Sequence, residues 1–307
     1  MKRLLLPAAL AAFLLAGCGK PQPEPQSASR PPSASPAGEA RNFVAERLKE
    51  LGVRPGFDEA SGRIVAVGEA FESVRDPAAK PFAAVRERCL EEALHAAKFD
   101  ILSALDMKVT VETSETDGGE GTADTAETIV LSVDGTLIGL RMLSMAESWN
   151  DGVYEVAVAV GWSKKSLDAV SARLLAEEGT SLSGEAVREW LGGKDPATLL
   201  GPEAFVDADG HLRMLGIGAA DAETPGAKAR AEAMASKCAL FSFPTAIKAS
   251  RKAVTKKVGN DASGDYSEEY DEKVDPKPRT FLTVLSTEAV HPLSGRRMAI
   301  AVVEAVP

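Results

Sequence analysis

A dozen residues near position 60 recur near position 210, and that repeat limits the possible folds more than any other feature. Phe57-Asp-Glu-Ala60-Ser-Gly62-Arg-Ile64-Val-Ala-Val67-Gly68 lies without gaps on Phe205-Val-Asp-Ala208-Asp-Gly210-His-Leu212-Arg-Met-Leu215-Gly216. Phenylalanine, alanine and both glycines are identical, and Ile64/Leu212 and Val67/Leu215 are like for like. Other matches keep the same order. Gly38-Glu39-Ala40 recurs as Gly184-Glu185-Ala186, Arg88-Cys89 as Lys237-Cys238 after a one-residue slip, and Leu143-Ser144 as Leu285-Ser286. Matches that preserve their order imply a tandem duplication, so each copy must form the same unit.

Each copy has the same expected elements. A short amphipathic helix (41–51, 185–191) and a Gly-marked turn lead to a strand (63–67, 211–215). A long Ala- and Leu-rich helix follows, over 82–105 and 227–254. Pro244 falls inside the second and should kink it or end it early. Strands are then expected at 108–113, 128–133, 137–145 and 153–162 in copy one, and at 280–287 and 297–306 in copy two. The runs 154–160 and 298–303 set β-branched residues among small ones, which suits central strands buried on at least one face. The expected class is therefore α+β: two tandem repeats of a long helix packed on an antiparallel sheet. The repeats span 38–162 and 183–307, with a connecting helix and linker over 163–182.

The start of the chain has a separate logic. Lys2 and Arg3 precede an apolar run from Leu4 to Ala16, the pattern of a secretory signal peptide over 1–17. The run is too short to cross a bilayer comfortably. Leu15-Ala16-Gly17-Cys18 resembles the lipobox of bacterial lipoproteins. That resemblance implies cleavage before Cys18, diacylation of its thiol and acylation of the new amino terminus, as with palmitate. Each buried CH₂ contributes roughly 0.8 kcal/mol, so several chains would hold the protein on a membrane without a transmembrane helix. Gly19, where an aspartate would favour inner-membrane retention, implies attachment to the outer membrane, facing the periplasm. Residues 18–37 are dominated by Pro, Ser and Gln without apolar periodicity, and read as a disordered tether.

Charge and motifs narrow the function. A formal charge of −10 argues against nucleic acid or anionic headgroups as electrostatic partners. Gly216-Ile217-Gly218 lacks the third glycine of a dinucleotide loop, with Asp221 in its place, so no nucleotide is expected and close strand-to-helix packing explains the glycines better. Asp207-Ala208-Asp209-Gly210 starts like a calcium loop but has no closing carboxylate, and a turn accounts for both copies. The acidic stretches 115–127 and 260–275 read as solvated hairpin tips, the second carrying Tyr266 and Tyr270 as a candidate contact surface. His95, His211 and His291 show no metal-ligand spacing, and no nucleophile elbow is present. No catalytic residue, metal or cofactor is expected. Cys89 and Cys238 have two readings: small buried apolar residues, or a disulfide joining the two copies in an oxidising envelope.

A strand ending in glycine, an Ala-rich helix such as Ala227-Lys-Ala-Arg-Ala-Glu-Ala233, and a closing hairpin with Trp149, Gly152, Tyr154 and Val156 follow one another. This order resembles the small α+β domain of outer-membrane lipoproteins associated with flagella and the envelope. The resemblance covers 60–162 and, more faintly, 205–307, where the tyrosine is missing. It implies a non-catalytic structural role with an envelope protein as partner, and assigns no residue-level site. The functional expectation is a lipid-anchored envelope scaffold. A small-ligand or peptide module in the groove between the copies comes second, and an envelope hydrolase third.

Overall fold

Residues 156–161 alternate β-branched and small side chains, and the structure buries them on both faces. The structure, a computed structural model, describes residues 38–78, 82–105, 108–117, 123–175, 184–192, 194–206, 212–258, 261–274 and 280–306. The helices among these are α1 (Glu39–Glu50), α2 (Phe82–Leu105), α3 (Lys164–Leu175), α4 (Gly184–Leu191) and α5 (Ala227–Ala239). The strands of the first half are β1 (Gly56–Asp58), β2 (Arg63–Ser73), β3 (Lys108–Asp117), β4 (Ala123–Leu137), β5 (Arg141–Asn150) and β6 (Val153–Ser163). Those of the second are β7 (Gly201–Val206), β8 (Leu212–Asp221), β9 (Thr245–Val258), β10 (Asp261–Val274), β11 (Thr280–Val290) and β12 (Arg297–Val306). Helices on antiparallel sheets make this a mixed α+β protein.

The strands form three four-stranded sheets. Two of them run β1-β2-β6-β5 and β7-β8-β12-β11, the same order in each half. The third runs β3-β4-β9-β10, with β4 of the first half paired antiparallel to β9 of the second from Thr125↔Lys257 to Leu137↔Thr245. The halves therefore share a sheet. They also share a core, in which Leu90, Leu94 and Tyr154 belong to one cluster with Ile217, Met234, Ile300 and Val302. Residues 36–307 are accordingly one compact unit. The segment expected to link two domains is part of that unit, since Val170 of α3 packs with Met214, Phe243 and Ala305.

Helix–sheet packing explains the glycines. A Cβ on Gly68 of β2 would stand 1.9 Å from the Ala93 carbonyl oxygen of α2, and one on Gly216 of β8 would stand 1.8 Å from that of Ala235 in α5. Both glycines lie within strands rather than at their ends, and only a residue without a side chain lets the helix backbone come so close. On the opposite face of the first sheet, Ala40, Val44 and Leu48 of α1 pack on Val65, Ala157 and Ala159. The first turn of α1 is held by Glu155 of β6, a buried carboxylate accepting from the Gly38, Ala40 and Arg41 backbone N–H groups and from Ser148 Oγ. Such groups have no partner inside the helix, and a negative charge suits its positive end.

Two expectations are corrected. The second long helix stops at Ala239, and residues 245–258 form β9. Pro244 cannot continue a helix, and beyond it Ile247 and Ala249 are buried while Lys248 is exposed, the alternation of a strand. Residues 261–274 are no hairpin tip but β10, paired along its length with β9. β10 sets Asp271 opposite Lys248 of β9, and opposite charges directly across a ladder favour the pairing.

Candidate functional site

The apolar stripe of α2 contains two cations. Phe82, Arg86, Leu90, Leu94 and Lys98 recur every fourth residue and all five are buried. Each cation meets a carboxylate at the seam between the halves. Arg86 Nε donates to Glu147 Oε1 and Oε2 of β5 at 2.8 and 3.0 Å, and Nη2 to Oε1 at 2.5 Å. The Tyr154 hydroxyl donates to Glu147 Oε2 at 2.7 Å, and His291 Nε2 lies 3.2 Å from that oxygen. His291 sits between β11 and β12, and its Nδ1 meets Ser294 Oγ at 3.2 Å. Phe82 packs against both Tyr154 and His291, at ring distances of 5.3 and 5.1 Å. Five side chains from both halves thus enclose one carboxylate.

The second cation has a similar setting. Lys98 Nζ donates to Glu272 Oε1 of β10 at 2.5 Å, with the Phe241 ring 4.8 Å away. Tyr270 donates to Glu272 Oε2 at 3.0 Å and stacks on His95 at 4.1 Å, while His95 Nε2 lies 3.4 Å from the same oxygen. A groove of about 340 Å³ opens beside this cluster, walled by Leu90, Leu94, Met234 and Phe241. Another, of about 360 Å³, opens over Glu147 and His291 between Phe43, Met145 and Leu293.

Burial alone would raise both carboxyls, but their partners overcome it. The Arg86 guanidinium and the His291 bond bring Glu147 from 4.5 to about 2. The His95 bond and the Lys98 ammonium do the same for Glu272, also to about 2. Burial lowers Lys98 and raises Tyr154 well above 10, the latter with help from the Glu147 charge. The two carboxyls make the fold acid-sensitive. The unfolded chain takes up protons near 4.5 and the folded chain only near 2, so this stabilisation is complete above about pH 4.5 and lost progressively below it. Urea midpoints should fall steadily between pH 4.5 and 2.5, and Glu147→Gln should flatten that fall. An equally steep fall in the variant would contradict the assignment.

In connectivity, Ser294, His291 and Glu147 have the order of a nucleophile, base and acid. Yet Ser294 is only 6% exposed, its oxygen also accepts from the Arg296 N–H, and Glu147 is already neutralised by Arg86. The cluster is arranged to hold charge in place. No group of three His, Cys, Asp or Glu suited to a metal ion occurs among the described residues.

The residues singled out in the sequence fare differently. Cys18 lies outside the described residues, as do His211 and the 207–210 segment. In the matching turn of the first half, Asp58 accepts from Ala60 N–H and Ser61 Oγ, and Gly62 has φ +61°, the turn geometry expected. Cys89 and Cys238 are both buried and both free, so the bridge weighed from the sequence is not formed. Helix geometry gives the reason. Glu91 faces α5, bonding Lys237 at 2.5 Å, and at about 100° per residue Cys89 points roughly 160° away from it. The cysteines are not equivalent either. Cys89 stands four residues before Ala93, the residue over Gly68, whereas Cys238 stands three after Ala235, the residue over Gly216. Burial pushes both thiols up to about 12, so neither should react with Ellman's reagent in the native state at pH 8. In a Cys18→Ser chain denatured without reductant, two thiols should appear, and fewer would mean a bridge.

Arg86, Glu147, Lys98 and Glu272 were not anticipated. The signal for two of them was present, as cations within an apolar helix stripe that recurs every fourth residue. Their partners lie 61 and 174 residues away, and nothing local marks them.

The fold places the protein in the mixed α+β class. No family model matches the chain, and no curated protein matches it. Among solved structures it is similar to a hypothetical protein from Francisella tularensis, with a TM-score of 0.54 and 12% identity over 92% of this chain and 93% of that one. That likeness concerns the fold.

Proposed function

We propose that this chain is a lipid-anchored envelope lipoprotein, held at the outer membrane through Cys18 and facing the periplasm. Its folded part serves as a non-catalytic scaffold for a protein partner, built from two copies of one helix-on-sheet unit. The observation that carries the scaffold reading is the use made of buried charge. Arg86 and Glu147 are spent on each other within the first half, with His291 of the second half closing on the same carboxylate, and Lys98 meets Glu272 across the seam, which favours a rigid body over a reactive cleft. The copies are supported by the identical order of the two outer sheets and by Gly68 and Gly216 under Ala93 and Ala235. In cells fed labelled palmitate the chain should carry label, and Cys18→Ala should remove it. Pull-down after cross-linking of membranes should yield a stoichiometric protein partner. Turnover of any substrate that one polar substitution abolishes would overturn the scaffold.

One observation favours the second reading, a small-ligand module between the halves. Beside the apolar groove, the Lys98 ammonium has three protons and donates, among the described residues, to the Glu272 carboxylate. Native mass spectrometry that finds a bound small molecule, with no protein partner in the pull-down, would favour it.

A further inference from the structure

The two outer sheets share a strand order but not an edge. In the second, β7 covers β8 over six positions, from Gly201↔Ile217 to Val206↔Leu212. In the first, β1 covers β2 over only three, Gly56↔Val65, Phe57↔Ile64 and Asp58↔Arg63. With Gly68 and Gly216 as equivalent points, residues 66–69 correspond to 214–217. In the second sheet those four positions are met by Ala204, Glu203, Pro202 and Gly201. In the first, no strand among the described residues pairs with them on that side. A groove of about 950 Å³ lies there instead, running from α1 past Val65, Ala66 and Val67 to Asp100 and Ala104 of α2.

An open edge presents unpaired N–H and C=O groups, which a further strand satisfies. Natural edges are commonly protected by proline, lysine or an uncompensated charge. Residues 66–73 contain neither proline nor lysine. Their two glutamates are matched, Glu69 by Arg41 at 3.1 Å and Glu72 by Arg88 at 2.6 Å. The groove lining carries Arg41, Lys49 and Arg54 against one carboxylate, Asp100, in a chain whose overall charge is negative. Arg41 is engaged by Glu69, and Lys49 meets Glu46 at 2.5 Å only between exposed side chains, a weak pairing, so Lys49 and Arg54 are the cations an incoming carboxylate can reach. Phe57, the middle residue of β1 and 60% exposed, adds apolar surface to the groove lining.

We propose that this slot receives an extended, acidic segment of a partner protein. The segment adds antiparallel to β2 in line with β1, as β7 already does on β8. Backbone hydrogen bonds along residues 66–69 supply affinity, and carboxylates facing Lys49 and Arg54 supply selection. The inference rests on the protein-interaction reading and specifies the kind of partner.

The test uses the purified full chain and three labelled ten-residue peptides: alternating Asp and Val, alternating Lys and Val, and the Asp/Val peptide N-methylated at alternate residues. Fluorescence anisotropy should detect the Asp/Val peptide only, since N-methylation removes the edge donors. Binding should slow amide exchange within residues 64–73. Lys49→Glu with Arg54→Glu should weaken the Asp/Val peptide at least tenfold and admit the Lys/Val one. Ala45→Trp with Ala104→Trp, both at exposed positions on the groove, should block every peptide while leaving the fold intact. Absence of binding, or binding unaffected by the tryptophans, would overturn the proposal. So would concentration-dependent protection of residues 66–69 in the free chain, which would mean that a second copy fills the slot. If no peptide binds but the cross-linked partner is captured equally by the tryptophan variant, this site fails and the scaffold reading stands.

Discussion

Gly216→Ala is expected to be among the most damaging single substitutions in the protein, although it adds only a methyl group. That carbon would lie 1.8 Å from the Ala235 carbonyl oxygen and 2.4 Å from the Ala239 nitrogen. Both are helix backbone, so relief requires α5 to move off its sheet. The interface is built largely of small residues, among them Ala220, Ala231, Ala299 and Ala301, so a lifted helix loses contact along its length. Overpacking costs about 1–3 kcal/mol where side chains can yield, and more where they cannot. A loss of about 3 kcal/mol or more is expected, and at about 2–4 °C per kcal/mol Tm should fall by roughly 10 °C. Gly68→Ala should behave alike, with the Ala93 oxygen at 1.9 Å. Gly135→Ala is the control: its Cβ would meet only the mobile end of Leu102, at 3.0 Å. If all three variants melt together, close packing is not the reason for these glycines.

The second large effect is expected at Glu147. Its removal as Glu147→Ala leaves the Arg86 guanidinium, 1% exposed, without its counter-charge. It also deprives Tyr154 and His291 of their acceptor. Breaking a buried pair from one side typically costs about 3–5 kcal/mol, because the remaining charge stays in a poorly polarisable interior. Replacing the group as a whole is different. Arg86→Met with Glu147→Leu and Tyr154→Phe removes both charges and the orphaned hydroxyl together, and should recover most of the loss. Urea unfolding with an unchanged m-value would report this as a shift of midpoint alone. A triple variant no better than the single one would show that the pair stabilises the protein on balance.

These two predictions also show how much could be read in advance. Gly68 and Gly216 were visible because the repeat aligned them, and their reading as packing glycines needed only the strand before and the helix after. Helix α2 was legible to its ends for the same kind of reason, since its apolar spacing is local. The cysteine pairing failed because alignment by letters slipped across loops of unequal length. The contact of each helix on its glycine sets the true correspondence. Residues 245–258 misled because an Ala- and Lys-rich run suits either helix or strand. The choice fell to β4, whose edge β9 satisfies along its length.

While the strand expected over 137–145 divides between the end of β4 and the start of β5, local pattern was enough to specify the α+β class, helix α2 to its ends, the central strand β6 and the packing glycines. These depend on periodicities and spacings of a few residues, which the chain carries wherever it folds. Only the tertiary structure decided that the halves merge through a shared sheet, that Arg86 and Lys98 find Glu147 and Glu272, and that β1 pairs with β2 over three positions where β7 pairs with β8 over six. Each of these is a pairing between groups distant in sequence. Such pairings are governed by which buried charge or unpaired backbone edge can be satisfied in three dimensions, a condition no local stretch of residues contains.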